Sequence, residues 1–320
     1  MATNKQDTGS RRLDDAARAG WLYYVAGNNQ EQIAQKLGVS RQTAQRLVSL
    51  SVSEGLIKVR LDHPIARCLE LAEALKSRFA LDLVDIVPSD PDSQSTTTGV
   101  AEAAAAEIER RLASPDPIVM AIGTGRTLKA AIDQLTPMEA PQHKIVSLTG
   151  SIAPDGSAAY YNVIFDIAGV VKARSFPMPL PVIASSAEER DLLRQQPMIR
   201  ETLALAEKAD VTFVGIGDFS SEAPLYLDGF ISKAELLALQ KAGAVAEIVG
   251  RAYDADGRLI EGLTNDRVVS APLPSREERM VVALAKGDKK LPGIRAALSR
   301  RLVNGLITDE LTAEKLLKAR

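Results

Sequence analysis

A chain of 320 residues, 46% hydrophobic and 25% charged, has room for a small module beside a large one, and aromatics at only 4% leave its core to Ala, Leu, Val and Ile. No apolar run approaches the roughly 20 residues of a membrane span and the polar first ten residues lack a secretory segment, so a cytoplasmic protein with no membrane partner is expected. One cysteine (Cys68) and two histidines (His63, His143) argue against an intrachain disulfide, a Cys/His metal site and Ser-His-Asp chemistry, and neither metal nor cofactor is expected.

The net charge of −2 is unevenly placed. Up to Leu61, nine cations (Lys5, Arg11, Arg12, Arg18, Lys36, Arg41, Arg46, Lys58, Arg60) face five acids (Asp7, Asp14, Asp15, Glu31, Glu54), leaving this end at +4 and the remainder at −6. The basic end is the candidate nucleic-acid-binding end.

Leu13, Ala16, Ala17, Trp21, Tyr24 and Val25 recur at spacings of three and four, which predicts a helix over residues 14–25, with Trp21, Tyr23 and Tyr24 as packing residues. Gly27 and Asn28 end it. A short helix over 30–36 turns Ile33, Ala34 and Leu37 inward. Then Gly38, Val39 and Ser40 supply in order what a helix-turn-helix needs: a residue tolerant of positive φ, an apolar plug and a cap.

The next helix, over 41–53, buries Ala44, Leu47, Val48 and Leu50. Its other face carries Arg41, Gln42, Thr43, Gln45, Arg46 and Ser49. With Ser40 at the cap, this acid-free face has the side chains that read base edges in the major groove of double-stranded operator DNA. Residues 54–60 read as a C-cap glycine and a short strand whose Lys58 and Arg60 suit phosphates, as in a winged-helix-like domain. A three-helix protein-interaction module is the bland alternative, and the Gly-Val-Ser turn on an acid-free face favours DNA.

The expected organisation is a DNA-binding domain over 1–62 and an effector-binding and oligomerisation domain over 63–320, with 64–80 a linker helix that joins domains or pairs subunits. After it, aliphatic runs at 83–87, 118–122, 145–148, 182–184, 211–216 and 280–285 alternate with amphipathic stretches at 102–112, 127–135, 199–208 and 233–242. This pattern predicts a doubly wound, Rossmann-like α/β domain with a mainly parallel sheet, whose ligand sits where strands feed helices.

The strongest such junction runs from the strand at 118–122 through Gly123, Thr124, Gly125, Arg126 and Thr127 into a helix. Its glycines let the backbone approach an anion and the first helical N–H groups donate to it. Leu128 replaces the third glycine of a dinucleotide fingerprint and no P-loop is present, so NAD and ATP fit poorly. Gly217 and Asp218 follow another buried strand. Gly150, the Asn265-Asp266-Arg267 group and the run from Lys286 to Lys290 could also line the pocket, although each reads equally well as a surface turn.

Together these residues resemble the SorC family of sugar-responsive transcriptional regulators. The matching segments are Tyr23-Tyr24-Val25-Ala26-Gly27, Gln30-Glu31-Gln32-Ile33-Ala34, Leu37-Gly38-Val39-Ser40-Arg41, Gly123-Thr124-Gly125-Arg126-Thr127, Val214-Gly215-Ile216-Gly217, Gly250-Arg251 with Asp254-Ala255-Asp256-Gly257, Asn265-Asp266-Arg267 and Gly305-Leu306-Ile307-Thr308-Asp309-Glu310. The resemblance implies a sensor domain built like sugar-phosphate isomerases and deaminases, a phosphorylated sugar or polyol-derived effector, and a homo-dimer or homo-tetramer. It places the phosphate on the loop from Gly123 to Thr127 with Lys290 reaching the effector, and Lys286 stands where the family often has a glycine.

The rival is a sugar-phosphate isomerase or deaminase with a DNA-binding appendage, which would need Asp218, Asp228 or Asp266 as general base. A third reading is an interaction scaffold without salt-dependent DNA affinity.

Overall fold

The computed structural model describes residues 3–59, 63, 65–93, 95–153, 155–161, 163–275 and 279–318. The chain divides into two compact units, Met1–His63 and Pro64–Arg320.

In the first unit α1 (Thr3–Tyr24), α2 (Gln30–Leu37) and α3 (Arg41–Ser53) enclose a core of Ala16, Ala19, Ile33, Ala34, Ala44, Leu47 and Val48. Local chemistry sets both ends of α2. Asn29 accepts from the N–H groups of Glu31 and Gln32 (3.1 and 2.9 Å), and Gln32 accepts in return from Asn29 N–H, a capping box. At the far end Gly38 adopts φ +65° and the Val39 N–H reaches Ala34 O at 3.0 Å. Ser40 Oγ then accepts from Thr43 N–H at 3.1 Å and starts α3.

Because a non-glycine residue at a left-handed φ costs about 1–2 kcal/mol, and a Cβ at position 38 meets nothing within 4 Å, the penalty of Gly38→Ala is purely conformational. Denaturant titration should show a loss of about 1 kcal/mol with an unchanged slope.

The inward face of α1 differs from the expected one. Ala16, Ala19 and Gly20 are buried, whereas Leu13, Trp21, Tyr24 and Val25 are exposed and Trp21 keeps 53% of its surface. Tyr23, also exposed, stacks edge-on against Tyr24. The cause is the close approach of α1 to α3: a Cβ on Gly20 would lie 2.4 Å from Ser51 Oγ, so only small residues fit between the helices. The expected strand after α3 is also not formed. Residues 54–59 are a turn and irregular chain whose Leu56 and Ile57 N–H groups both bond Ser51 O, and the described residues of this unit are helical with no partner strand or wing. Arg60 lies outside the described residues.

The second unit runs, in order, α4 (Ala66–Phe79), β1 (Leu83–Val87), α5 (Val100–Leu112), β2 (Val119–Ile122), α6 (Arg126–Asp133), β3 (Lys144–Ser147), α7 (Ile164–Val171), β4 (Arg174–Phe176), α8 (Ala187–Gln195), α9 (Pro197–Glu207), β5 (Val211–Gly215), α10 (Pro224–Leu227), α11 (Lys233–Lys241), β6 (Ala246–Ile248), β7 (Arg251–Tyr253), β8 (Met280–Leu284), α12 (Leu291–Ser299), β9 (Gly305–Asp309) and α13 (Glu310–Lys318). Seven strands form a parallel sheet in the order β1-β9-β8-β5-β2-β3-β4.

Alternation along the strands splits the core in two. Ala121, Val214, Val281 and Ala283 face one side, packed by α4, α9, α12 and α13, while Met120, Ile122, Phe213, Val282 and Leu284 face the other, packed by α5, α6 and α7. The sheet is therefore covered on both faces, a doubly wound fold. The helix expected as a linker belongs to this core: α4 buries Cys68, Leu71, Ala72 and Leu75 against the sheet.

Residues 182–184 are not a strand. Their backbone is satisfied instead by single bonds, such as Val182 N–H to Ile152 O and Ala184 N–H to Arg267 O. Ala252 of β7 joins α10 and α11 in a third apolar cluster that includes Phe219, Leu236 and Leu239, while Ala246 and Ile248 of its antiparallel partner β6 belong to the first core.

Candidate functional site

On the first unit, Arg41, Gln42, Thr43, Gln45 and Arg46 are all exposed in the first two turns of α3, with Ser40 exposed at its cap. Ala44, Leu47, Val48 and Ser51 anchor the opposite face, so the helix is held by its core side while the polar side stays open. Its first turn carries no acid. Lys58 is exposed on the chain that follows. This is the shape of a recognition helix presented by a helix-turn-helix.

On the second unit, the strand order creates the site. From the centre of the sheet, β2, β3 and β4 progress toward one edge, whereas β5, β8 and β9 progress toward the other. The reversal lies between β2 and β5, and the diverging loops beyond their carboxyl ends open a crevice there. A cavity of about 840 Å³ occupies it, lined by residues that follow β1, β2, β3, β5, β8 and β9.

Eight of the expected effector residues line this cavity: Gly123, Thr124, Gly125, Arg126, Thr127, Gly217, Asp218 and Lys290. Gly125 sits at the N-cap of α6 with φ +126°, and the Lys129 N–H closes onto its carbonyl at 2.9 Å. The N–H groups of the first turn remain for an outside acceptor. Thr127 is buried in that turn and Arg126 is exposed beside it.

Gly150 and Asp266 lie outside the lining. Gly150 is a packing glycine, since a Cβ there would fall 2.4 Å from the carbonyl oxygens of Leu180 and Pro181. Its neighbour Thr149 lines the cavity instead, with a buried Oγ1 that has no partner. Asp266 is in a 3-10 turn, Asn265–Arg267, that braces the fold. Asn265 clamps β7 through Ala252 N–H, Ala252 O and Ile260 O, and Arg267 holds Ala184 O and Glu235.

Glu247 is among the cavity residues that sequence reading missed. It is carried by β6, whose backbone pairs with Gly217 in both directions (2.8 and 3.0 Å), and its Oε1 accepts from Gly250 N–H. Gly217 makes room for it: a Cβ there would meet Glu247 Oε2 at 2.6 Å. Burial pushes the Glu247 carboxyl above the usual carboxylate range, opposed by the Gly250 N–H and by Lys290, while Asp218 adds to the rise. Burial likewise lowers the Lys290 ammonium, against the pull of Asp218 and Glu247 and helped by Arg126. Asp228 is raised by burial and opposed by Arg126.

An acid whose folded pKa is raised holds its proton longer folded than unfolded, so its contribution to stability falls as pH climbs from the ordinary glutamate range to the raised value. Glu247→Gln should flatten this decline. A set of melting curves across pH checks it, and a wild-type decline retained in the variant would assign the dependence to another group.

The cations of the cavity are unequally engaged. Lys289 pairs with Glu222, and Lys315 with Asp288. Arg126 and Lys290 stand next to the α6 N-terminus, where they add positive charge to the glycine loop. The arrangement suits an anion at the loop and hydroxyl groups against Glu247, Asp218 and Thr149.

The sugar-binding domain family model Sugar-bind matches residues 63–318, and the homeodomain-like family HTH_23 matches residues 10–60. The erythritol catabolism regulatory protein EryD of Brucella abortus is 32% identical over 302 residues, covering 94% of this chain and 96% of its own. The transcriptional regulator LsrR of Klebsiella pneumoniae is 31% identical, covering 94% and 92%. The full-length sorbitol operon regulator SorC of Klebsiella pneumoniae superposes with a TM-score of 0.70 at 24% identity, over 95% of this chain and 99% of that one, and so shares its fold. A helix-turn-helix with an open polar recognition face and a sugar-binding domain with its cavity at the sheet reversal, matched over nearly the full length, make this chain a member of the SorC family of sugar-binding transcriptional regulators.

Proposed function

We propose that this regulator controls a carbohydrate or polyol catabolic operon and that a phosphorylated sugar or polyol sets its DNA affinity. The observation that carries the reading is the glycine loop at 123–127, open to the cavity at the sheet reversal with Arg126 and Lys290 beside it. Its anion would accept from the first N–H groups of α6 and from Thr124, Thr127 and Arg126. The names of EryD and SorC, which concern erythritol and sorbitol, support a polyol skeleton.

Residues 1–62 would act as the DNA-binding domain and 63–320 as the sensing and oligomerising domain. Ser40, Arg41, Gln42, Thr43, Gln45 and Arg46 would read bases and Lys58 would hold a phosphate. A homo-dimer or homo-tetramer places two recognition helices on half-sites about 34 Å or a multiple apart. The effector acts by binding one arrangement of subunits more tightly than the other.

A sensor rather than an isomerase or deaminase is favoured by the regulator names of EryD and LsrR, and because Asp218 and Asp228 both line the cavity, a turnover assay separates the two readings. The function is exercised in the cytoplasm, where its operator is found. Thermal shift with free and phosphorylated polyols tests the reading: a ligand at 100 times its Kd adds about 2.7 kcal/mol of stability. Stabilisation by phosphorylated compounds, without product on prolonged incubation, is the expected result. Turnover, or equal stabilisation by unphosphorylated ligands, would overturn it.

A further inference from the structure

The cavity extends well beyond the phosphate loop, and its opposite end contains a second polar pair. Lys286 lies just after β8 and Asp309 ends the adjacent parallel strand β9, each two residues beyond the paired Leu284 and Ile307. Both line the cavity and both side chains are more than nine-tenths buried, at 8% and 9% exposure. Lys286 Nζ donates to Thr98 O at 3.0 Å, and Asp309 Oδ1 accepts from Thr312 N–H at 3.0 Å. The two charged groups approach each other at 3.7 Å, Nζ to Oδ2.

That separation gives electrostatic attraction and is too long for a hydrogen bond. The ammonium therefore keeps a donor and Oδ2 an acceptor, side by side on the cavity wall. A hydroxyl group satisfies both at once, accepting from Nζ and donating to Oδ2. An anion would meet Asp309 and a cation would meet Lys286, so the pair selects a neutral group that can both donate and accept.

From this juxtaposition we infer that Lys286 and Asp309 form a distal subsite that recognises the terminal hydroxyl of an extended polyol phosphate. The inference rests on the proposed function and deepens it. β5 lies between β8 and β2, so Lys286 and Asp309 stand two and three strand spacings from the phosphate loop, about 10 and about 14 Å. An acyclic polyol phosphate can place its phosphate on α6 and its far hydroxyl here.

Calorimetric titration of the full-length protein with glycerol, erythritol, ribitol and sorbitol phosphates, and with the terminal-deoxy analogue of the best binder, tests the subsite. Removing the hydroxyl should weaken binding to the wild type about 10- to 100-fold, the range of a hydrogen bond to a charged group. In Lys286→Met the same deletion should cost clearly less than in the wild type, because one of the hydroxyl's two partners has already gone. Asp309→Asn, which keeps the oxygen that caps Thr312, should behave likewise, and neither change should alter the weak binding of inorganic phosphate. Equal wild-type affinity for the deoxy analogue, or an equal loss in Lys286→Met, would remove the subsite while leaving the phosphate reading intact. Failure of the whole phosphate series would remove both.

Discussion

Arg41→Ala and Gln45→Ala are each expected to weaken specific operator binding by about 1–3 kcal/mol, the discrimination carried by one good bidentate contact to a base. Both side chains project from the exposed face of α3, held by Ala44, Leu47 and Val48 beneath, so neither truncation disturbs the core. Fluorescence anisotropy on operator and on unrelated duplex separates the contributions. Loss of a base contact lowers operator affinity and leaves non-specific affinity nearly unchanged. Lys58→Ala, by contrast, should weaken both and reduce the slope of log K against log salt by about one unit. Effector stabilisation should survive in all three variants. Full retention of the operator footprint by both α3 variants would remove this helix from base reading.

Disabling the glycine loop should have the complementary effect. Thr127→Ala deletes a buried hydroxyl in the first turn of α6, and Gly125→Val places a branched side chain at φ +126°, where the space is open and the backbone itself is the obstacle. A lost hydrogen bond to a phosphate is worth about 1.5–3 kcal/mol, tenfold or more in Kd. At an effector concentration of 100 wild-type Kd, a tenfold loss lowers the stabilisation from about 2.7 to about 1.4 kcal/mol. DNA affinity without effector should be unchanged, so the variants would bind operator and fail to respond. A normal thermal shift in both would place the anion elsewhere in the cavity.

Features governed by near neighbours in the chain were readable before any coordinates. The turn at Gly38, Val39 and Ser40 depends on one positive φ and on bonds spanning a few residues, and it forms as the residue types require. The loop after β2 is similar: strand, glycines and helix are contiguous, so its geometry follows from local order. Where two apolar rows competed, the choice depended on something remote. Periodicity favoured Trp21 and Tyr24 on α1, whereas the proximity of Ser51 on α3 demanded the small row of Ala16, Ala19 and Gly20.

The sheet-reversal site illustrates the same division at larger scale. Alternating strands and helices announced a doubly wound domain, yet short strands such as β4, β6 and β7 carry three residues each and too little periodicity to detect. Glu247 is on one of them, and it reaches the cavity only because β6 pairs with the backbone of Gly217, thirty residues earlier in the chain. Gly150 looked like a ligand-loop glycine, but the chain at Leu180 and Pro181 passing against it explains its identity.

The amino-acid order by itself determined the exposed polar helix α3, its cap and the glycine loop after β2, because caps, turns and positive φ are satisfied within a few residues. Tertiary structure alone decided which helix faces are buried, that Glu247 and Thr149 join the cavity, and that Lys286 meets Asp309. Those outcomes depend on which strands become neighbours, and strand neighbours are chosen by packing across the whole domain.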